Sequence, residues 1–453
     1  MSRIGRFKRS TYCAAGLILI GAVLLQQVDA RYPWVWAYLA DQFSPREVQA
    51  ASGPTHILFT FVDHFEPHDQ PAVSRWMEAY PVLARLHRDA DGRSPQHTWF
   101  WYFDRSDDEE SLRFLQQLSD LSFHGYGEVE LHLHHWGDDE VSFLKKIGRM
   151  IDLSQRTGAF VTAEERPRTA FGFIHGLWAL DNSRPGACGV NNELTLLRRL
   201  GCYADFTHPS WGKMHPRMVN RLYYATDDPK RPKSYDTGVP MRVGGPAAGD
   251  LLIFEGPSVV RWKGIRPVYD HGDVTMADLP TPDRIEDWIG ARVHVQGRPD
   301  WIFVKVFTHG ALPQDHDAVL GEWAERMYQT LEARYNDGTN YVLHYVTARE
   351  AYNIAQAAQA GKSGNPSDYR DFLIPPYASR FLTASVPYTL LSMNDRHVVA
   401  QFKAPSSGRV TAHLRAPLAR VSGDAGDVSI ERSEDGASAS FALTGEGIVD
   451  FAR

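Results

Sequence analysis

The chain is predicted to be an α/β protein, a distorted (β/α) barrel with a small all-β module behind it. Between residues 55 and 360, short apolar runs alternate with segments of helical periodicity, the pattern of βα units around a parallel sheet or barrel. Three of those runs stop abruptly at residues able to ligate a metal, and the C-terminal ends of strands are where parallel folds keep their chemistry. Beyond Phe381 the period drops to two, in short stretches split by Gly, Ser, Pro and Asp, as in a small β-sandwich over residues 381–453.

The strands of the barrel are expected at 56–62, 97–103, 129–134, 170–174, 203–206, 251–254, 301–307 and 341–346, each rich in β-branched, aromatic or aliphatic residues. Between several of them, 109–118, 139–151, 192–200, 283–290, 318–335 and 348–360 carry helical periodicity. Residues 209–249 are rich in Pro, Gly, Lys and Asp and read as a long loop over a site. The run Gly361-Lys-Ser-Gly-Asn-Pro366 marks a linker before the module, whose strands include 398–403, 410–414 and 438–443.

The N-terminus is read separately. Arg3, Arg6, Lys8 and Arg9 precede an uncharged stretch from Ser10 to Leu25, and Val28-Asp29-Ala30 resembles a small-residue cleavage site. Residues 1–30 are therefore an export signal or a membrane anchor. The apolar stretch is shorter than the ~20 residues that span a bilayer, which favours cleavage, while Asp29 and the aromatic segment Tyr32 to Tyr38 suit retention as an anchor. Either way the expected location is the periplasm or the cell exterior, free or tethered to the inner membrane. Losing residues 1–30, with four basic residues and one acidic, moves the formal net charge from −7 to −10, which argues against nucleic acid as a partner. Of three cysteines only Cys188 and Cys202 would remain, as a disulfide or as two buried thiols. No CxxC zinc spacing occurs.

The most informative segment is Glu128-Val-Glu-Leu-His-Leu-His-His-Trp136. Alternation along a strand aims His132 and His134 the same way, with His135 opening the following loop. Asp138 and Asp139 come next. A second run ends at Asp63 and His64, with Glu66 and His68 just beyond, and a third ends at His309. Carboxylate and imidazole donors without thiolates suit Zn²⁺ or another borderline divalent ion in an open, catalytic site. Such an ion activates water and polarises a carbonyl oxygen; His309, ending a different strand, is placed to protonate a leaving group.

In order and rough spacing, Leu58-Phe-Thr-Phe-Val-Asp63, the His-rich strand end and Val306-Phe-Thr-His309 resemble the polysaccharide deacetylases, carbohydrate esterase family 4, over about Thr55 to Ala360. The stretches Phe171–Asn182, Cys188–Glu193 and Gly201–Thr207 look like a divergent branch associated with exopolysaccharide genes. The resemblance implies a distorted barrel, a metal such as zinc, and hydrolysis of acetyl groups from an N-acetylated or O-acetylated polysaccharide. It also assigns residues. The family's first motif, Thr-Phe-Asp-Asp, carries the base and then a ligand, but here the sequence is Thr60-Phe61-Val62-Asp63. Aligned directly, Asp63 is a ligand and the base is lost; shifted by one, Asp63 is the base and His64 the ligand. The second motif pairs two histidines four apart, whereas His134 is followed at that spacing by Asp138. The remaining ligands are therefore His132 with His134, or His134 with Asp138. Where the family has an Arg that orients the base, this chain has His175, Trp178 and Asp181, assigned to substrate binding. The last motif matches at His309. Trp136, Trp178 and Trp211 are candidates for a sugar-stacking floor.

Two rival readings stand beside this one. A metal-dependent amidohydrolase also uses His-x-His at a strand end, though usually on the first strand. A degenerate barrel that only binds carbohydrate would account for the departures from the first and third motifs.

Overall fold

The computed structural model describes residues 26–45, 47, 53–103 and 108–453. The basic start and the apolar stretch of the expected export segment, up to Leu25, lie outside the described residues. Among the described residues no helix is long and apolar enough to cross a membrane. The aromatic segment that follows packs on the body of the protein: Trp34 meets Tyr269 and His215 at ring separations of 4.4 and 5.0 Å, and the Val260 amide donates to the Tyr38 hydroxyl.

All eight apolar runs become strands of one ten-stranded, mostly parallel sheet. Its strands in chain order are β1 (Thr55–Phe65), β2 (His97–Trp101), β3 (Gly127–Leu133), β4 (Phe171–His175), β5 (Cys202–Asp205), β6 (Leu222–Ala225), β7 (Val239–Pro240) and β8 (Leu251–Phe254), then, after the hairpin of β9 (Val259–Lys263) and β10 (Arg266–Asp270), β11 (Trp301–Thr308) and β12 (Tyr341–Tyr345). The spatial order is β11-β1-β2-β3-β4-β5-β8-β6-β7, with β12 also on β1. The helices Asp108–Phe123, Glu140–Gln155, Glu193–Arg199, Pro282–Gly290, Glu322–Tyr335 and Ala348–Gln359 fall where the periodicity places them. Among the described residues, the helices not anticipated include Val35–Phe43, and Gln70–Ala84, which carries Pro81 in its interior.

Closure of the expected distorted barrel is not shown by the strand pairing. The reason lies in 209–249, which reads as loop but contributes β6 and β7. Strand β6 pairs antiparallel with β8, so β8 has β5 on one side and β6 on the other and no free edge to offer β11. Side chains span the gap instead. Phe254 meets Phe303 edge-on at 5.6 Å, and the Lys305 ammonium donates to the carbonyls of Phe206 and His208.

Alternation divides β1 between two cores. Ile57, Phe59, Phe61 and Phe65 pack with Trp76 and Tyr80 of the helix Gln70–Ala84. Leu58 and Val62 pack with Phe100, Ile174, Phe254 and Phe303 on the other side of the sheet. Asp63 shares the face of the first set and His64 that of the second.

Past Leu382 the chain forms two four-stranded antiparallel sheets, in spatial order Leu382–Ala384, Arg409–Leu414, Gly436–Ala442, Gly426–Ser433, and Tyr388–Met393, His397–Lys403, Glu446–Ala452, Arg420–Gly423. They face one another through Phe441 of the first sheet against Phe402 and Phe451 of the second.

Candidate metal centre

The C-terminal ends of β1, β3 and β11 bring together His64, Glu66, His132, His134 and His309. The ligand atoms of Glu66, His132 and His134 lie within 4.8 Å of one another, as do those of His64, Glu66 and His309. Glu66 is the hub: its Oε1 is 2.9 Å from His132 Nε2 and 3.1 Å from His134 Nε2. Around a zinc ion with bonds of ~2.0–2.1 Å, tetrahedral ligand atoms stand about 3.3 Å apart, so the spacing suits a shared ion.

The hydrogen bonds of His132 point the same way. His132 Nδ1 is 2.9 Å from the Ile174 carbonyl, which can only accept, so Nδ1 carries the proton and a neutral ring turns its Nε2 lone pair on Glu66. Two lone pairs at 2.9 Å need a proton or a cation between them, and a ligand histidine held from behind by a carbonyl is the usual arrangement at a metal. Burial raises the Glu66 carboxyl, but its hydrogen bonds with His132 and His134 outweigh that and hold the group below the usual range. The group is open on one side, Glu66 and His134 keeping 29% and 12% of their side-chain exposure.

His64, on the face of β1 that carries Leu58 and Val62, lies between His309 and His132, at ring separations of 4.7 and 5.0 Å. Burial, reinforced by neighbouring histidines, holds it well below the ordinary histidine value. Burial also lowers His309, against the pull of Glu66 and Asp63. The Trp178 ring lies 6.1 Å from His64 and 6.2 Å from His309, and Trp136, more than half exposed, lies 5.6 Å from His134.

Asp63 is not among the gathered ligand groups. It points to the helix side of the sheet, where His97 Nε2 lies 3.1 Å from Oδ2 and the Gly310 amide donates to Oδ1 at 2.7 Å. The Trp76 indole donates to the Gly310 carbonyl. A Cβ at position 310 would come within 2.3 Å of Asp63 Oδ2, so glycine there lets Asp63 clasp the turn that follows His309. Of the two alignments of the first motif, the geometry brings His64 rather than Asp63 to the histidines.

Asp138 also stays apart from His132 and His134. It lies 3.2 Å from His135 Nδ1 and takes a 2.6 Å ion pair from Lys146. His175 and Asp181 are fully buried and bonded within the protein, which leaves them no surface for a glycan; Trp178 alone of that trio borders the cluster. Burial pushes the Asp181 carboxyl up to about 8. Cys188 and Cys202 are free, buried thiols, not a disulfide.

Glu66 had one visible signal, a carboxylate two residues past the His64 strand end. Nothing in the spacing singled out Glu193, the first residue of its helix, whose carboxylate meets His135 and His175. Comparison with protein-family models and with curated proteins gives no match to this chain.

Proposed function

We propose that this protein is a divalent-metal-dependent hydrolase that removes acetyl groups from an N-acetylated or O-acetylated polysaccharide of the cell envelope or of an exported glycan. The observation that carries the reading is Glu66 Oε1 facing the Nε2 atoms of His132 and His134 in a group open to solvent. A divalent ion held by these three residues, zinc by the chemistry of the donors, would supply Lewis acidity toward water and the acyl oxygen.

The rest falls to the chain's own side chains. His309, kept neutral by burial, is ready to take a proton from water as the new C–O bond forms, and to pass it to the departing amine or alcohol as the acyl bond breaks. His64 packs beside it and fixes its ring. Asp63, through the Gly310 amide, positions the turn that carries it. Trp136 and Trp178 flank the group as apolar faces on which a sugar ring stacks. The basic start and apolar stretch of the N-terminus support a site outside the cytoplasm.

The test is acetate release from N- and O-acetylated polysaccharides by chelated protein with metal restored. Release that depends on added metal is expected. No acetate from any acetylated glycan, with bound metal established, would remove the deacetylase reading; no bound metal at all would leave a carbohydrate-binding barrel.

A further inference from the structure

On the far side of the β3 end from Glu66, a second group of ligand-type side chains is completely enclosed. His135 follows β3, His175 ends β4, Cys188 lies in the next loop and Glu193 opens the helix after it. All four are buried, and their ligand atoms lie within 4.8 Å of one another. His175 Nε2 is 2.8 Å from His135 Nε2 and 3.5 Å from Glu193 Oε1, and His135 Nε2 is 3.2 Å from Glu193 Oε1. These separations straddle the edge of about 3.3 Å expected between nitrogen and oxygen ligands of tetrahedral zinc. Cys188 Sγ, 3.5 Å from Glu193 Oε2, supplies the fourth donor.

We propose that His135, His175, Cys188 and Glu193 form a second metal site, closed and structural, that takes a tetrahedral divalent ion of zinc type and pins the loop between β4 and the helix Glu193–Arg199 to the end of β3. Two of the ligands, His175 and Glu193, are hydrogen-bonded from behind, as metal ligands are. The His175 Nδ1–H donates to the Gly176 carbonyl at 2.6 Å, which leaves its Nε2 a bare lone pair facing His135 Nε2. His135 Nδ1 faces Asp138 Oδ2 at 3.2 Å, and Lys146 clamps that carboxylate. The Asp181 amide donates to Glu193 Oε2 at 2.6 Å. A thiolate and a carboxylate neutralise a doubly charged ion, as so enclosed a place requires. With two imidazoles they fill four positions and leave none open, unlike the Glu66 group.

The loop itself needs such a restraint. Leu177, Trp178, Asp181 and Asn182 all sit in the left-handed region, at φ 55°, 53°, 49° and 53°. Non-glycine residues persist there when surrounding structure over-determines them. Trp178 borders His64 and His309, so the second ion would set one wall of the first site without touching substrate.

Cobalt(II) is the probe, added to the chelated full-length chain and followed by metal content and absorption. Two equivalents and a thiolate-to-cobalt charge-transfer band are expected. Cys188→Ser should lose the band and one equivalent, Cys202→Ser should keep both, and His134→Ala should lose one equivalent but keep the band. A wild-type cobalt protein without a thiolate band overturns the proposal, and needs no variant to fold. One equivalent with the band would support this site and remove the Glu66 site; one equivalent without it does the reverse.

Discussion

Gly176→Ala tests the Glu66 site without touching a ligand. Gly176 lies against the face of His134, and a Cβ there would stand 2.4, 2.5 and 2.6 Å from its Cγ, Cδ2 and Nδ1. Ordinary contact begins at 3.4 Å, so the imidazole must retreat by about 1 Å in an interior packed too tightly to absorb it. The ring is already confined by Tyr102 and Trp136, at 5.4 and 5.6 Å. Metal–ligand bonds tolerate only about 0.2 Å, so a displaced His134 loses its bond, and affinity should fall roughly 10- to 100-fold, the scale on which ligand orientation matters. Gly176 does not have a positive φ, so alanine adds no backbone strain there, and stability should drop by only about 1–3 kcal/mol from overpacking. Competition against a chromophoric chelator measures affinity, with the melting temperature recorded alongside. An affinity within about twofold of wild type, in a variant that melts cooperatively, would refute the role of His134 as a ligand.

Three further changes probe the neighbourhood. His309→Ala should retain bound metal and lose about 10²- to 10⁴-fold in acetate release, the usual size of a proton-transfer contribution, whereas loss of the ion would make His309 a ligand. Asp63→Ala should keep the ion but cost about 1–3 kcal/mol for each buried partner left unsatisfied, namely the Gly310 amide and His97; denaturant melts and metal analysis separate this from a ligand role, in which the ion would go. Glu130 lies in the sheet interior, where burial pushes it up to about 8 despite donors from Tyr203, the Gly172 amide and Tyr377. The folded chain thus keeps a proton that the unfolded chain releases, so this contribution is full below the ordinary carboxylate range and is lost as pH rises through about 8. Glu130→Gln should flatten that decline, worth a few kcal/mol at about 1.4 kcal/mol per unit; an unchanged slope between about pH 5 and pH 9 would show that Glu130 is not its source.

Local pattern was enough to locate the strands and to see that ligand-type residues collect at their ends. Period-2 alternation is a property of the backbone, so His132 and His134 share a face in any strand that holds them, and the apolar runs at 56–62, 129–134 and 301–307 fall within β1, β3 (but for its last residue) and β11. Sheet closure was not legible. It depends on β6, a four-residue strand from a Pro- and Gly-rich stretch, competing for the edge of β8. The proposed ligand set was legible only in part, because residues past a strand end follow the loop and not the alternation. Asp63, still on the strand, is turned by its parity toward His97 and Gly310, while Glu66, just off it, is free to swing to His132 and His134. His135, Cys188 and Glu193 are separated by up to 58 residues, and only the return of the chain after β4 brings them to one point. Residue types and strand ends follow from local periodicity, but which donors converge is a distance between segments far apart in the chain, and tertiary packing alone sets it.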